Sequence, residues 1–329
     1  MISTGLVKYA GALLALAACS ACGASAVAPS NAAPDGGYGG ETTAAVSRNL
    51  IGLPRYPAIV PNRHVKSKYY EYVINYYGSY ATIFDYPEGD KQIGKINDVG
   101  GQVCTNVLYG YGKKTFWIVA AYNQIEEFEV PQKPLKSLSV SVGMPSSCAM
   151  DTSGDLAVGI LSGSGGGDIV IFKNASGSGA VITSSLAREY FDGYDNNGNL
   201  FFDGFTGGSR FELLEIPKGS SKAETITTSN TVKFPGSVQW DGTYLAVTDQ
   251  SEEAIYQYTV SGTKATLKNT VSLTGASDCA QTWIATGIVY CGDAGNEDGE
   301  VFKYPAGGSP LAVLTGKFDF PLGVVAAEK

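Results

Sequence analysis

Histidine is almost absent from this sequence of 329 residues, with His64 as its only example. Serine–histidine and cysteine–histidine relays, histidine-ligated zinc sites and most haem sites need this side chain. His64 lies in the segment Pro61–His64, ahead of the first expected strand. The scarcity of histidine therefore argues against serine hydrolases, zinc enzymes and haem proteins, and it leaves carboxylates as the main candidates for chemistry.

Basic residues are also few. Lys and Arg total 23 against 31 Asp and Glu, which gives a formal net charge of -8. Residues 1–18 contain one charged residue, Lys8, so the chain without them has a net charge of -9 (-8 minus 1). A surface of this sign repels phosphate backbones and anionic lipid headgroups. We therefore expect no nucleic-acid partner.

Long hydrophobic runs are missing near the N-terminus, where the apolar run Tyr9–Ala18 has ten residues. A membrane-spanning helix needs roughly 20. Lys8, this run and the sequence Leu16-Ala17-Ala18-Cys19 resemble a bacterial lipoprotein signal peptide, in which the cysteine is acylated and becomes the mature N-terminus. An ordinary signal peptide cleaved nearby is the alternative.

The resemblance implies lipidation of Cys19 and export to the bacterial cell envelope, where the lipid anchors the protein to the membrane. Because Ser20 and no aspartate follows the cysteine, it implies an outer-membrane location if the cell has two membranes. Residues 19–50 are rich in Ala, Ser, Gly and Pro, and they predict a disordered tether. Residues 51–329 remain as one domain.

A short phrase recurs six times in that domain: an aromatic residue or leucine, a polar residue, a third residue of mixed type, and often proline. Successive phrases begin 44, 44, 42, 42 and 46 residues apart, which is the period of a four-stranded propeller blade. The six phrases are Phe84–Pro87, Phe128–Pro131, Phe172–Ala175, Leu214–Pro217, Tyr256–Thr259 and Phe302–Pro305.

Polar turns that begin at Asp151, Asp195 and Asp241 each precede an apolar strand, and their Asp, Asn and Gly residues favour tight hairpins. The segment Phe320–Val325 is similar to the inner-strand sequence Phe234–Val238, and the first repeat lacks an inner strand of its own. The pattern predicts an all-β fold, a six-bladed β-propeller of four-stranded antiparallel blades. The C-terminal strand joins the first blade and closes the ring.

The phrase Asp195–Leu200, followed by Asp203, resembles the repeat of NHL-type and YncE-like propellers. Such propellers include binding modules, scaffolds and, in the related gluconolactonase type, metal-dependent hydrolases. The resemblance covers most of residues 65–329 and implies the shape and an exported bacterial context. It leaves function open.

Four of the six cysteines lie within the predicted propeller, and an exported protein meets oxidising conditions. Cys104 and Cys148 are one repeat apart, so they occupy equivalent places on neighbouring blades. Cys279 and Cys291 fit adjacent strands of one hairpin. We predict Cys104–Cys148 and Cys279–Cys291 disulfides, with four buried free thiols as the alternative. Cys22 has no obvious partner.

Carboxylates offer one metal hypothesis. Asp203, Asp249 and Asp293 follow the second strands of three repeats, with Asn75 in the corresponding place of the first. Their oxygens suit Ca²⁺, but hairpin capping explains them better, so no metal or cofactor is predicted. The acidic loop Asp293–Glu300 lacks the EF-hand pattern, and a solvated turn is expected there.

The expected binding surface is one mouth of the central channel. Matching positions on the inner strands place amide and aromatic side chains there, which suit recognition of a glycan, a peptide or an envelope protein. Core packing is the alternative explanation for the two tryptophans. The predicted ligand-binding residues are Ser147, Asp192, Gln239, Trp240, Gln281 and Trp283.

The leading functional hypothesis is a lipid-anchored, non-catalytic binding or interaction module, expected to be a monomer. Two alternatives stay open: a metal-dependent lactonase that uses the central tunnel, and a structural envelope protein that assembles through tyrosine-rich faces.

Overall fold

A computed structural model describes residues 68–86, 92–120, 123–285, 287–314 and 316–329. The predicted signal peptide and tether, with Cys19 and Cys22, and also His64 lie outside the described residues. Within the described ranges the regular structure consists of strands, apart from one 3-10 turn at Lys173–Ala175. No helix within these ranges is long and apolar enough to cross a membrane.

The strands form four sheets of four strands and one sheet of eight. Along the chain they are β1 (Tyr69–Asn75), β2 (Tyr80–Tyr86), β3 (Gln92–Asn97), β4 (Val99–Thr105), β5 (Thr115–Ala120), β6 (Gln124–Glu129), β7 (Lys133–Ser139), β8 (Met144–Met150), β9 (Leu156–Ser162), β10 (Ile169–Phe172), β11 (Ala180–Ile182), β12 (Arg188–Tyr194), β13 (Leu200–Phe205), β14 (Phe211–Ile216), β15 (Glu224–Thr228), β16 (Pro235–Trp240), β17 (Leu245–Asp249), β18 (Ala254–Ser261), β19 (Lys264–Ser272), β20 (Cys279–Ala285), β21 (Ile288–Asp293), β22 (Asp298–Lys303), β23 (Ala312–Leu314) and β24 (Pro321–Glu328).

The four-stranded sheets have the orders β24-β1-β2-β3, β4-β5-β6-β7, β8-β9-β10-β11 and β20-β21-β22-β23. The eight-stranded sheet contains the antiparallel groups β12 to β15 and β16 to β19, which are joined by a parallel contact of β15 with β19 over two residue pairs. The predicted all-β architecture of four-stranded antiparallel sheets is confirmed. The sheet count differs from six because two neighbouring outer edges pair with each other, as exposed edges tend to do.

The C-terminal strand closes the ring, as the sequence predicts. β24 pairs with β1 along its length, from Tyr69 opposite Glu328 to Asn75 opposite Pro321. The inner strands then contact one another in a closed cycle in the order β24, β4, β8, β12, β16, β20 and back to β24. The chain is therefore a β-propeller with a central channel.

The predicted polar turns have the expected geometry. Asp195 Oδ1 accepts the backbone N–H groups of Asn197 and Asn199, each at 2.8 Å. Gly198, in the same turn, has a φ of 85°, a conformation that favours glycine. The side chain of Asp195 thus satisfies backbone donors that the tight reversal leaves without strand partners.

The first residue of every repeated phrase lies on the third strand of its group and is buried: Phe84, Phe128, Phe172, Leu214, Tyr256 and Phe302. The hydrophobic core lies between neighbouring groups. One cluster, for example, joins Ala246 and Ile255 to Cys291 and Phe302 of the next group. Burial of such side chains contributes roughly 1.5 to 3 kcal/mol each, so each sheet depends on its neighbours.

Both predicted disulfides are confirmed. Cys104 on β4 is bonded to Cys148 on β8, which links two neighbouring inner strands with Cα atoms 5.7 Å apart. Cys279 on β20 is bonded to Cys291 on β21, with Cα atoms 5.5 Å apart. A disulfide stabilises the fold by restricting the unfolded chain, and the effect grows with the length of the closed loop. The loop-length relation gives about 4 kcal/mol for the first bridge and about 3 kcal/mol for the second.

Candidate functional site: the central channel and its aromatic mouth

The central channel is narrow. Residues of β4, β8, β12, β16 and β20 line its cavity, in which about 30 Å³ is open to the centres of water molecules. One water needs roughly 10 to 15 Å³ by this measure. The cavity therefore has space for about two to three waters, which is too little for a sugar ring or a peptide.

The structure brings the predicted ligand-binding residues together. Five of the six line the channel: Asp192, Gln239, Trp240, Gln281 and Trp283. Ser147 lies on β8 beside them, but its hydroxyl donates to Glu189 Oε1 at 2.6 Å. Their role in binding a ligand stays a prediction.

The amide of Gln281 links strands across the channel. Its Oε1 accepts the N–H groups of Val103 on β4 at 3.1 Å and of Val324 on β24 at 3.2 Å. Its Nε2 donates to the carbonyl of Val103 at 2.7 Å. Because these bonds use both ends of the amide, Gln281 joins three inner strands and narrows the opening between them.

The segment 106–114, between β4 and β5, crosses one end of the channel, and we name it the mouth loop. Gln239 Nε2 donates to the carbonyl of Leu108 at 3.0 Å, and Trp283 Nε1 donates to that of Gly110 at 2.7 Å. The N–H of Gly112 donates to the carbonyl of Ala326 at 2.8 Å. The loop thus bonds to β16, β20 and β24 and covers the channel where the inner strands end.

The mouth loop presents aromatic rings to the outside. Tyr109 is 45% exposed and lies against Gly242, where an added Cβ would meet the tyrosine ring at 2.8 Å. Tyr111 stacks on Tyr69 with ring centroids 3.6 Å apart. Trp240 is half-buried, and Trp283 is buried. This loop was not predicted from the sequence. Its Tyr-Gly-Tyr-Gly run and its length between paired strands are the sequence signals that could have indicated it.

Three buried carboxyl groups lie on β12 and β13, and one of them, Asp192, lines the channel. Burial raises the pKa of Glu189 to about 8, although the hydroxyls of Ser146 and Ser147 each donate to it at 2.6 Å. Burial, and then the charge of Glu189, hold the pKa values of Asp192 and Asp203 well above the usual range. Neither oxygen of Asp192 meets a donor at good geometry, although the nearby Ser147 hydroxyl lowers its pKa. The raised pKa values favour the neutral form of these groups, and Asp192 lines the cavity.

The residues considered for a tunnel calcium site accept backbone hydrogen bonds. Asp249 accepts the N–H of Lys233 at 2.7 Å, Asp293 that of Ser277 at 2.7 Å, and Asn75 that of Asp319 at 2.9 Å. In each case the donor lies two residues before the start of an inner strand. These side chains therefore position the inner strands, which agrees with a capping role.

Asp203 differs from the others because it accepts the N–H of Gly236 in the next group at 3.3 Å, and its Oδ1 has no hydrogen-bond partner.

The acidic segment 293–300 differs from the expected solvated turn. Asn296 and Glu297 are exposed at its tip, but Asp293 is fully buried and Glu300 is only 4% exposed. Both belong to strands, Asp293 to the end of β21 and Glu300 to β22. The pairing of the two strands turns these carboxylates toward the preceding group, β16 to β19, where solvent does not reach them.

Comparison with known proteins supports the fold. No protein-family model matches this chain, and no curated protein matches it by sequence. A chain from the crystal structure of a nidogen–laminin complex is similar, with a TM-score of 0.62 and 10% identity over 79% of this chain and 98% of that one. A functionally unknown protein from Desulfotomaculum acetoxidans DSM 771 has a TM-score of 0.50 and 11% identity, over 79% of this chain and 99% of that one. At such identities the likeness shows a β-propeller and nothing of its function.

Proposed function

We propose that this protein is an exported lipoprotein whose propeller serves as a non-catalytic binding module at the bacterial cell envelope. The observation that carries the binding proposal is the mouth loop, which places the exposed ring of Tyr109 over a channel that is too narrow for a ligand. Binding and catalytic residues often lie on loops held by a rigid scaffold. Recognition would therefore take place on the mouth, outside the channel.

The partner proposed for this surface is a glycan, a peptide or an envelope protein. Aromatic rings contribute much buried area for little lost conformational entropy, and the tyrosine hydroxyls add polar groups for hydrogen bonding. The similar chain in the nidogen–laminin complex comes from a complex of proteins, which is compatible with a protein partner. A monomer suffices for such binding.

The propeller itself is proposed to have six blades of the NHL-like or YncE-like kind. Support comes from the six repeated phrases, each of which lies on a third strand. It also comes from the shortness of the β15–β19 contact, which involves two residue pairs and leaves both groups complete.

The anchor is tested by replacing the candidate lipidated cysteine. Wild-type protein expressed in a bacterial cell should partition with membranes, and mass spectrometry should find acyl chains on Cys19. Cys19→Ser should appear in the soluble exported fraction, because serine lacks the thiol that would be acylated. Cys22→Ser serves as the control and should stay with the membrane. Equal partitioning of wild type and Cys19→Ser would refute the anchor.

The binding surface is tested with two tyrosines of similar exposure. Tyr109 lies on the mouth loop and Tyr77, 49% exposed, lies on the β1–β2 turn at the opposite end of the channel. Protein carrying Cys19→Ser would be screened against glycan arrays and solubilised envelope proteins, and affinities measured for the hits. Tyr109→Ala should weaken binding about tenfold or more, and Tyr77→Ala should not. If Tyr109→Ala binds a hit with wild-type affinity, the recognition surface lies elsewhere on the protein.

A metal-dependent lactonase is a second candidate, favoured by the Asp192 carboxyl, which lines the channel and accepts no hydrogen bond at good geometry. Hydrolysis of lactones or esters that requires added Ca²⁺ and disappears in Asp192→Asn would favour it over a binding module. The narrow channel weighs against it, since substrate would first have to displace the mouth loop.

A further inference from the structure

Three acidic side chains converge at the hairpin of β21 and β22. Asp293 and Asp298 are directly opposite each other in the strand register, and Glu300 lies two residues further along β22 on the same face. One carboxylate oxygen from each lies within 4.8 Å of the others. Like charges this close repel strongly unless something neutralises them.

Two of the three side chains have a carboxylate oxygen without a hydrogen-bond partner. Glu300 is 4% exposed, and its Oε2 accepts no hydrogen bond; Asp298 Oδ1 also accepts none. Across the described residues, no lysine or arginine forms an ion pair with Asp293, Asp298 or Glu300. A buried carboxyl oxygen without a donor is costly, so these two oxygens call for a ligand that the chain itself does not supply.

Asp293 plays a different part because its carboxylate is already held by the chain. It accepts backbone N–H groups from Ser277, Gly295 and Asn296 and the side-chain amide of Asn296, at 2.7 to 3.0 Å. These donors fix its position and favour its ionised form. Asp293 thus contributes negative charge at a fixed place beside the two unpartnered oxygens.

A further carboxylate approaches from the neighbouring group. Glu253, just before β18, accepts the N–H of Cys279 at 3.4 Å. Burial, and then the charges of Asp293 and Asp278, raise the pKa of Glu253 to about 8. A cation bound nearby would lower this pKa and favour the charged carboxylate. The group therefore spans the boundary between the β16–β19 and β20–β23 groups, and a cation there would be shared between them.

We propose that this boundary binds a hard divalent cation, with Asp298 and Glu300 as direct ligands and Asp293 and Glu253 adding negative charge. Carboxylate oxygens without nitrogen or thiolate ligands suit Ca²⁺ or Mg²⁺, and the irregular arrangement favours Ca²⁺, which tolerates varied geometry. The half-buried Asp298 gives the ion access from solvent. The bound ion stabilises the packing of two adjacent sheets and is separate from ligand recognition at the mouth.

The site is tested by calorimetric titration of the full chain, stripped with EDTA, with CaCl₂ and separately with MgCl₂. Wild-type protein should bind one ion at this site, and its Tm should rise with ion concentration, since a ligand that binds the folded state stabilises it. Glu300→Gln and Asp298→Asn should each weaken binding about tenfold or more, because each removes a charged ligand. If Glu300→Gln does not fold, Asp298→Asn provides the same test at a half-buried position.

Two controls locate the ion. Glu297→Gln changes the same charge on the exposed tip of the same hairpin and should bind as wild type does. Asp192→Asn removes the unpartnered carboxyl of the channel and should also retain binding. The proposal is overturned if wild type binds neither ion at millimolar concentration, the weak end of extracellular sites. It is equally overturned if Glu300→Gln and Asp298→Asn bind as wild type does, or if only Asp192→Asn loses the ion.

Discussion

At the scale of single residues, burial in this fold raises the pKa of several carboxyl groups. Glu71 lies on β1, opposite Phe84 on one side and Ala326 on the other, and it is fully buried. Neither of its carboxyl oxygens has a hydrogen-bond partner, and burial raises its pKa to about 8. A glutamate that is neutral at pH 7 contributes far less desolvation cost than a charged one.

Glu71 should make stability depend on pH. In the unfolded chain a glutamate titrates near 4.3, so between about pH 4.5 and 8 the folded protein binds more protons than the unfolded one. The free energy of unfolding should therefore fall as pH rises through this window. In Glu71→Gln the fall should be shallower, and at pH 9 the variant should be more stable than wild type by roughly 2 kcal/mol.

Urea unfolding at pH 5, 7 and 9 in EDTA measures this effect. Glu224→Gln, on the exposed outer strand β15, is the matched control and should follow the wild-type slope. Identical slopes for wild type and Glu71→Gln would show that Glu71 is solvated or differently partnered in the protein.

At the scale of elements, β24 matters most because it joins the two ends of the ring. Val324, Val325, Ala326 and Ala327 are fully buried between the first and last groups. The N–H of Glu328 also donates to the mouth loop at Gly112. One strand thus completes a sheet, closes the ring and supports the candidate binding surface.

Removal of residues 320–329 should abolish cooperative folding. The deletion leaves β1 as an open edge and exposes the apolar faces on either side, a loss comparable with the whole stability of a typical domain, about 5 to 15 kcal/mol. Circular dichroism and thermal unfolding of the purified chain measure it. Deletion of Lys329 alone removes an ion pair with Asp85 and should cost little. A truncated chain with a wild-type unfolding transition would contradict the role given to β24.

Elements with local or periodic signals could be predicted from the sequence. The hairpin at Asp195 depends on its own side chain and on Gly198, and both are visible in the sequence. The Cys104–Cys148 bridge followed from a separation equal to one repeat. The sheet count was less accessible, because the β15–β19 contact depends on how two outer edges approach each other.

For the whole molecule, predictions about the site were less complete than those about the ring. The repeat put Asp192, Gln239, Trp240, Gln281 and Trp283 on or beside matching inner-strand positions, and all five line one cavity. It did not predict that Gln281 bonds to Val103, 178 residues away, or that the mouth loop covers the channel. Such contacts join strands from distant repeats, and no period in the sequence encodes them.

The sequence by itself determined the all-β class, the repeat, the polar turns, both disulfides and the closing strand, because each of these depends on spacing or on local backbone chemistry. Tertiary structure alone decided which polar groups are buried. Glu71, Glu300 and the amide of Gln281 have ordinary sequence surroundings. Their environments arise only when neighbouring sheets pack, exclude water and leave each group either a backbone partner or none.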